Sequence, residues 1–78
     1  METVDYQLAR ARQVSALMKT RRHKRGLSQS EVAQVIGVSV MTYSRWERGL
    51  AFPQKKWQLV GLKQALGGNP GDYRTVIG

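Results

Sequence analysis

Cysteine is absent from this chain, histidine occurs once, and acidic side chains number 5 against 13 lysines and arginines. Each scarcity excludes something. Without cysteine, no disulfide or thiolate zinc site supplements the core, and a cytoplasmic location is compatible. His23 has no partner histidine, so it reads as a backbone contact rather than a metal ligand, and no metal or cofactor is expected. One histidine and two committed central carboxylates leave no nucleophile–base pair, so the chain is not read as an enzyme. No apolar run approaches the roughly 20 residues of a membrane span, and the N-terminus lacks a signal-peptide core, so no membrane partner is expected. Repeats, low-complexity tracts and long linkers are missing too. At 78 residues the chain makes one domain, 1–78, near the lower limit for a self-sufficient core.

What is abundant is positive charge. The formal net charge is +8. Glu2, Asp5 and Asp72 lie near the ends, so only Glu31 and Glu47 interrupt the cations between Tyr6 and Gly71. That is the footprint of phosphate contact and electrostatic steering. The densest cluster is Lys19-Thr20-Arg21-Arg22-His23-Lys24-Arg25, which also suits a helix C-terminus, where cations meet the negative end of the dipole.

The most informative stretch is Leu27–Gly49, LSQSEVAQVIGVSVMTYSRWERG. Ser28-x-x-Glu31 is a capping box behind apolar Leu27, and it starts a helix. Val32, Ala33 and Ile36 recur at helical spacing and face inward. Gly37 follows, where a helix end favours a left-handed backbone. Val38 fills the gap between helices and Ser39 caps the next one. At about 100° per residue, the second helix, Val40 to Arg48, divides into two arcs. Thr42, Tyr43, Trp46 and Glu47 share one arc, and the large Tyr43 and Trp46 make it the core side. Val40, Met41, Ser44, Arg45 and Arg48 share the other. Two short helices at a fixed angle, the second presenting a polar and basic face, form a helix-turn-helix suited to a DNA major groove. A solvated surface helix is the bland alternative for that arc.

Flanking helices complete an all-α fold of four to five helices. Val4, Leu8, Ala11, Val14 and Met18 suggest one long helix, or two in line, ending near Lys24. The part before about Val14, an N-terminal extension at 1–13, serves as a dimer contact, an arm along DNA, or an extra turn packed on the core. After the Leu50–Pro53 loop, Pro53 suits the first turn of a further helix running to about Leu66, stopped by Gly67-Gly68-Asn69-Pro70-Gly71. Leu59, Leu62 and Leu66 complete the core (14–67). Trp57, Val60 and Gly61 lie nearly opposite, either as a dimer contact or covered by the N-terminal segment or by Asp72–Ile77 of the C-terminal tail (68–78).

The chain resembles the lambda-repressor-like helix-turn-helix family, the Cro and xenobiotic-response-element type of small phage, plasmid and bacterial regulators. Arg22, Gly26-Leu27-Ser28-Gln29, Val32-Ala33, Gly37-Val38-Ser39, Ser44-Arg45-Trp46-Glu47 and Gly49 carry the likeness, which extends with flanking helices from about Val14 to Gly67. The resemblance implies Gln29 against the DNA backbone, Val40, Met41 and Arg45 at base edges, and an Arg22–Glu47 ion pair. Val40 and Met41 depart from the polar residues often found there, and Arg21 stands where an apolar residue is common.

The resulting expectation is a nucleoid-associated bacterial transcription regulator, an autoregulatory repressor gripping inverted-repeat double-stranded DNA as a homodimer. Val40, Met41, Ser44 and Arg45 read bases, Arg45 by the match of its planar fork to guanine. Lys24, Gln29, Ser39, Thr42, Arg48, Lys55 and Lys56 fix register through phosphates, contacts that carry no sequence information. The alternative is an antitoxin that binds a protein toxin while repressing its own operon; control of an anti-CRISPR operon is a version of the repressor reading. Single-stranded RNA is disfavoured, because few aromatics suit base stacking.

Overall fold

Local signals set every helix boundary around the motif. The computed structural model describes the backbone of residues 2–75 and the side chains of residues 9–75. Helix α1 spans Glu2–Lys24 without a break. Its last turn carries Arg21, Arg22, His23 and Lys24, complementing the dipole. Gly26 ends it at φ 67°, with Leu27 N–H donating back to Arg22 O at 3.1 Å. Of the expected N-terminal apolar spacing, the side chains of Val4 and Leu8 lie outside the described residues, while Val14 and Met18 are fully buried.

Helix α2 spans Gln29–Ile36 and opens on the capping box: Glu31 N–H donates to Ser28 Oγ at 3.0 Å and Ser28 N–H to Glu31 Oε1 at 2.8 Å. Gly37 closes it in the left-handed region at φ 95°. Helix α3 spans Val40–Glu47, capped by Ser39 Oγ, which accepts from Thr42 N–H at 3.1 Å. Helix α4 spans Lys56–Leu66, starting later than Pro53 suggests. The reason is Gln58, whose Oε1 accepts from both Gln54 and Lys55 N–H and fixes the start there. Pro53 is buried outside the helix instead. A 3-10 turn, Pro70–Tyr73, follows.

The described residues are all-helical: four α-helices and the 3-10 turn. Val14 and Met18 of α1, Val32, Ala33 and Ile36 of α2, Tyr43 and Trp46 of α3 and Leu59, Leu62, Ala65 and Leu66 of α4 form one core. At about 1.5–3 kcal/mol per buried large apolar side chain, this cluster is the main term holding the helices together. Gly61, expected beside Trp57 and Val60 on an outer face of α4, is the one of the three that is not exposed. It is buried, and a Cβ there would lie 3.0 Å from Ile36 Cα, so it is the point where α2 and α4 cross.

Within the stretch from residue 68, Tyr73 is fully buried and joins the core. Arg21 explains its unusual place on α1: its Nη1 donates to Tyr73 Oη at 2.9 Å and to Asp72 Oδ2 at 3.1 Å, and its guanidinium lies 5.5 Å from the Tyr73 ring centroid. Arg10 donates to the carbonyls of Gly71, Asp72 and Arg74 at 2.9–3.2 Å. The segment is thereby strapped to α1 rather than to Trp57. Ile77 lies outside the described residues.

Candidate nucleic-acid interface

The second motif helix is held by its inner face and bare on its outer one. Tyr43 is fully buried and Trp46 nearly so, their rings edge-to-face with centroids 6.1 Å apart. From α1, the buried Ser15 Oγ donates to Trp46 O at 2.8 Å and fixes the C-terminal end of α3. On the outer side Val40 is 48% and Met41 63% exposed. Arg45 and Arg48 are exposed and Ser44 is half-buried beside them. The structure therefore gathers Val40, Met41, Ser44 and Arg45 on one accessible face, with Arg48 at its C-terminal end.

A buried ion pair sets that helix against the others. Arg22 Nε donates to Glu47 Oε2 at 2.6 Å and Arg22 Nη2 to Glu47 Oε1 at 3.0 Å, a two-pronged contact. The Glu47 side chain is 1% exposed. Gln29 Nε2 donates to the same Oε1 at 3.1 Å, and Arg22 Nη1 to Leu27 O at 2.9 Å. Burial pushes the Glu47 carboxyl up, but hydrogen bonds from Arg22, with Gln29 behind them, outweigh it and hold the group below its ordinary value. The neighbouring Tyr43 hydroxyl is buried without a hydrogen-bond partner. Burial first, then the adjacent Glu47 carboxylate, raise it far above an ordinary phenol, so it stays neutral.

The residues expected to contact phosphates differ in exposure and in how their polar atoms are used. Ser39 Oγ donates to Thr42 Oγ1 at 2.9 Å, which commits the serine proton and leaves the Thr42 hydroxyl proton available to an outside acceptor. Gln29 is half-buried at the start of α2, with one amide N–H on Glu47 and the other unspent. Lys24, Arg48, Lys55 and Lys56 are exposed. The basic cluster at the end of α1 is only partly available. Arg21 and Arg22 are spent internally as described, and Arg25 Nη1 donates to Ala65 O at 2.9 Å, closing the C-terminal end of α4. His23 Nε2 lies 3.1 Å from Arg22 Nη2.

Two features escaped the sequence reading. Arg10, Arg21 and Arg25 act as internal clamps, and an arginine in sequence reads the same as a clamp or on a solvated face. Val35, 52% exposed, joins Trp57 (49%) and Val60 (36%) along an open groove between α2 and α4, floored by Ile36 and Gly61. Its signal was an apolar residue off the inward arc of α2. No described helix is long and apolar enough to cross a membrane.

A family model described as helix-turn-helix matches residues 17–60, more than half of the chain. No curated protein and no solved structure matches it. The matched span runs from the second half of α1 into α4 and contains the whole exposed face of α3.

Proposed function

The chain belongs to the helix-turn-helix family of lambda-repressor-like, xenobiotic-response-element type DNA-binding transcription regulators, and from that premise we propose that it is a cytoplasmic autoregulatory repressor. It grips an inverted-repeat operator as a homodimer, each copy laying α3 in a major groove. One observation carries the reading: Tyr43 and Trp46 are buried while Val40, Met41, Arg45 and Arg48, on the same eight-residue helix and its cap, are accessible.

Arg45 reads a guanine through its two acceptors, and Val40 and Met41 rest on thymine methyls, with Ser44 between them. Gln29, Thr42, Arg48, Lys24, Lys55 and Lys56 hold phosphates, while Ser39 orients Thr42. Repression follows from occupancy of the promoter. An antitoxin role would add a protein toxin as partner; the exposed Trp57 supports that second reading, and co-purification of a small partner separates the two.

Selection of bound fragments from random duplex DNA tests the proposal. The expected result is a shared two-fold-symmetric site with half-sites about one helical turn apart. Recovered fragments with no common sequence would overturn it.

A further inference from the structure

The groove between α2 and α4 sets apolar surface in a basic frame. Val35 on α2 and Trp57 and Val60 on α4 are exposed along it, over a floor of Ile36 and Gly61. Lys56 lines the same groove, and Lys63, seven residues further along α4, is exposed one turn beyond Val60. At 3.6 residues per turn these two lysines share one flank of the Trp57–Val60 stripe, about 10 Å apart along the axis. No carboxylate lines the groove. Glu31, one turn before Val35 on α2, is held by the Ser28 N–H.

We propose that this strip docks an acidic amphipathic helix of a different protein, and that its occupation opposes DNA binding. The antagonism rests on the DNA-binding reading above; the docking does not.

Shape, charge and area select the occupant. The groove is open along its length, so it cannot enclose a small molecule as a ligand pocket does. It suits the apolar face of a helix, whose side chains recur at i, i+4 and i+7 and match the two turns of α4 from Trp57 to Gln64. Lys56 and Lys63 then meet carboxylates seven residues apart on that helix's flank. A second copy of this chain would bring the same lysines and a formal charge of +8, so the two repel. The chain's own Pro70–Tyr73 turn is strapped to α1 by Arg10 and Arg21. Three half-exposed side chains offer roughly a few hundred Å², below the about 800 Å² per partner of a typical stable complex. Binding is therefore weak and reversible.

Lys56 links the groove to DNA. It lines the groove and is also assigned to a phosphate, so a partner carboxylate and a DNA phosphate draw on one cation. The Trp57 ring further backs onto the turn that launches α3, its Cζ3 lying 3.9 Å from where a Gly37 Cβ would sit. Each ligand therefore lowers affinity for the other, by the same factor.

The probe is a synthetic helix-forming peptide with leucine at i, i+4 and i+7 and glutamate along one flank, titrated into the full chain at low salt. It should shift the fluorescence of exposed Trp57 to the blue and saturate below millimolar concentration, with the buried Trp46 a constant background. The same peptide with lysine for glutamate, or with serine for leucine, should bind at least about tenfold more weakly. By anisotropy of labelled peptide, Trp57→Ser should lose about tenfold for the glutamate peptide. Lys63→Glu should also weaken it, and should bind the lysine peptide more tightly than the parent does. Both variants should keep the parent's urea midpoint, since both side chains are exposed. Saturating glutamate peptide should weaken duplex binding about tenfold in the parent but not in Trp57→Ser. Equal binding of the glutamate peptide and either control would overturn the inference, as would unchanged peptide binding in Trp57→Ser. A parent dimer in sedimentation that Trp57→Ser dissolves would put a second copy in the groove instead. Undiminished duplex binding at saturating peptide would overturn the antagonism. A parent that selects no shared site from random duplex would overturn the DNA-binding reading and leave the docking result standing.

Discussion

The Gln29 side-chain amide donates to Glu47 Oε1 at 3.1 Å, on the same carboxylate that Arg22 grips from α1. One buried oxygen thus ties together the start of α2, the end of α3 and the last turn of α1. Gln29 is proposed to face a phosphate and α3 to face bases. The bond therefore holds the backbone-gripping and base-reading parts in one register, which is what positioning contacts need before base contacts specify.

Removing one side of the pair should be costly. Glu47→Gln keeps the shape but leaves Arg22, whose side chain is 12% exposed, without its counter-charge. Loss of about 3–5 kcal/mol is expected from urea denaturation, as for other buried pairs broken from one side. A loss under about 0.5 kcal/mol, the scale of an ordinary surface substitution, would mean that the pair contributes little to the fold.

Acid should destabilise the protein. Glu47 is held low against burial by Arg22 and Gln29, Asp72 by the Asn69 N–H and then Arg21, and Glu31 by Ser28. Each carboxyl is held below its ordinary value in the folded state, so the unfolded chain takes up protons first as pH falls. The stabilisation is complete above about pH 5 and is lost as pH drops through the folded-state values. Urea midpoints measured from pH 7 down to pH 3 should fall, and less steeply in Glu47→Gln. A midpoint that rises on acidification would contradict this origin.

The motif was legible because its signals are local. Ser28, Glu31, Gly37 and Ser39 act on backbone groups within four residues, so their types and spacing state their structure directly. The division of α3 followed from the bulk of Tyr43 and Trp46. Long-range uses were not legible. Nothing near Arg10, Arg21 or Arg25 in sequence says that carbonyls 40 to 64 residues away will accept their hydrogen bonds. Gly61 likewise read as surface, because the closeness of Ile36 is a property of the α2–α4 crossing. Tyr73 lies in a Gly/Pro-rich stretch with no helical periodicity, and it enters the core through tertiary contact alone.

That difference between clamps and free cations is measurable. Lys24→Ala should weaken DNA binding about equally across sequences and reduce the log–log salt slope by about one. Arg25→Ala should leave the slope nearly unchanged and lower the urea midpoint instead, since its Nη1 caps Ala65 O. Equal slope changes in both variants would show that Arg25 also meets phosphate.

The Tyr73 anchor should matter for stability although it lies beyond the matched span. The side chain is fully buried, donates to Gly67 O at 2.7 Å and receives the Arg21 guanidinium. Tyr73→Ala is expected to cost about 3–5 kcal/mol, the range for emptying a buried aromatic site. Tyr73→Phe keeps the ring but loses the bond to Gly67 and should cost about 1 kcal/mol. Thermal or urea unfolding distinguishes the two, and equal effects would place the contribution in the hydroxyl rather than the ring.

Arg45 offers the sharpest separation of reading from holding. It is exposed and its guanidinium makes no hydrogen bond among the described residues, so Arg45→Ala should leave the urea midpoint unchanged. Specific binding should fall by about 1–3 kcal/mol, with preference relaxed at one base position per half-site. Arg45→Lys keeps the charge but not the planar fork and should recover affinity for non-specific DNA without recovering that preference. Arg48→Ala, at the end of the same face, should weaken all sequences alike and flatten the salt response. Selection from random duplex with each variant reads the outcome directly. If Arg45→Ala recovers the parent's site with the parent's stringency, another side chain on α3 reads that base, and exposed Met41 would be the next residue to substitute.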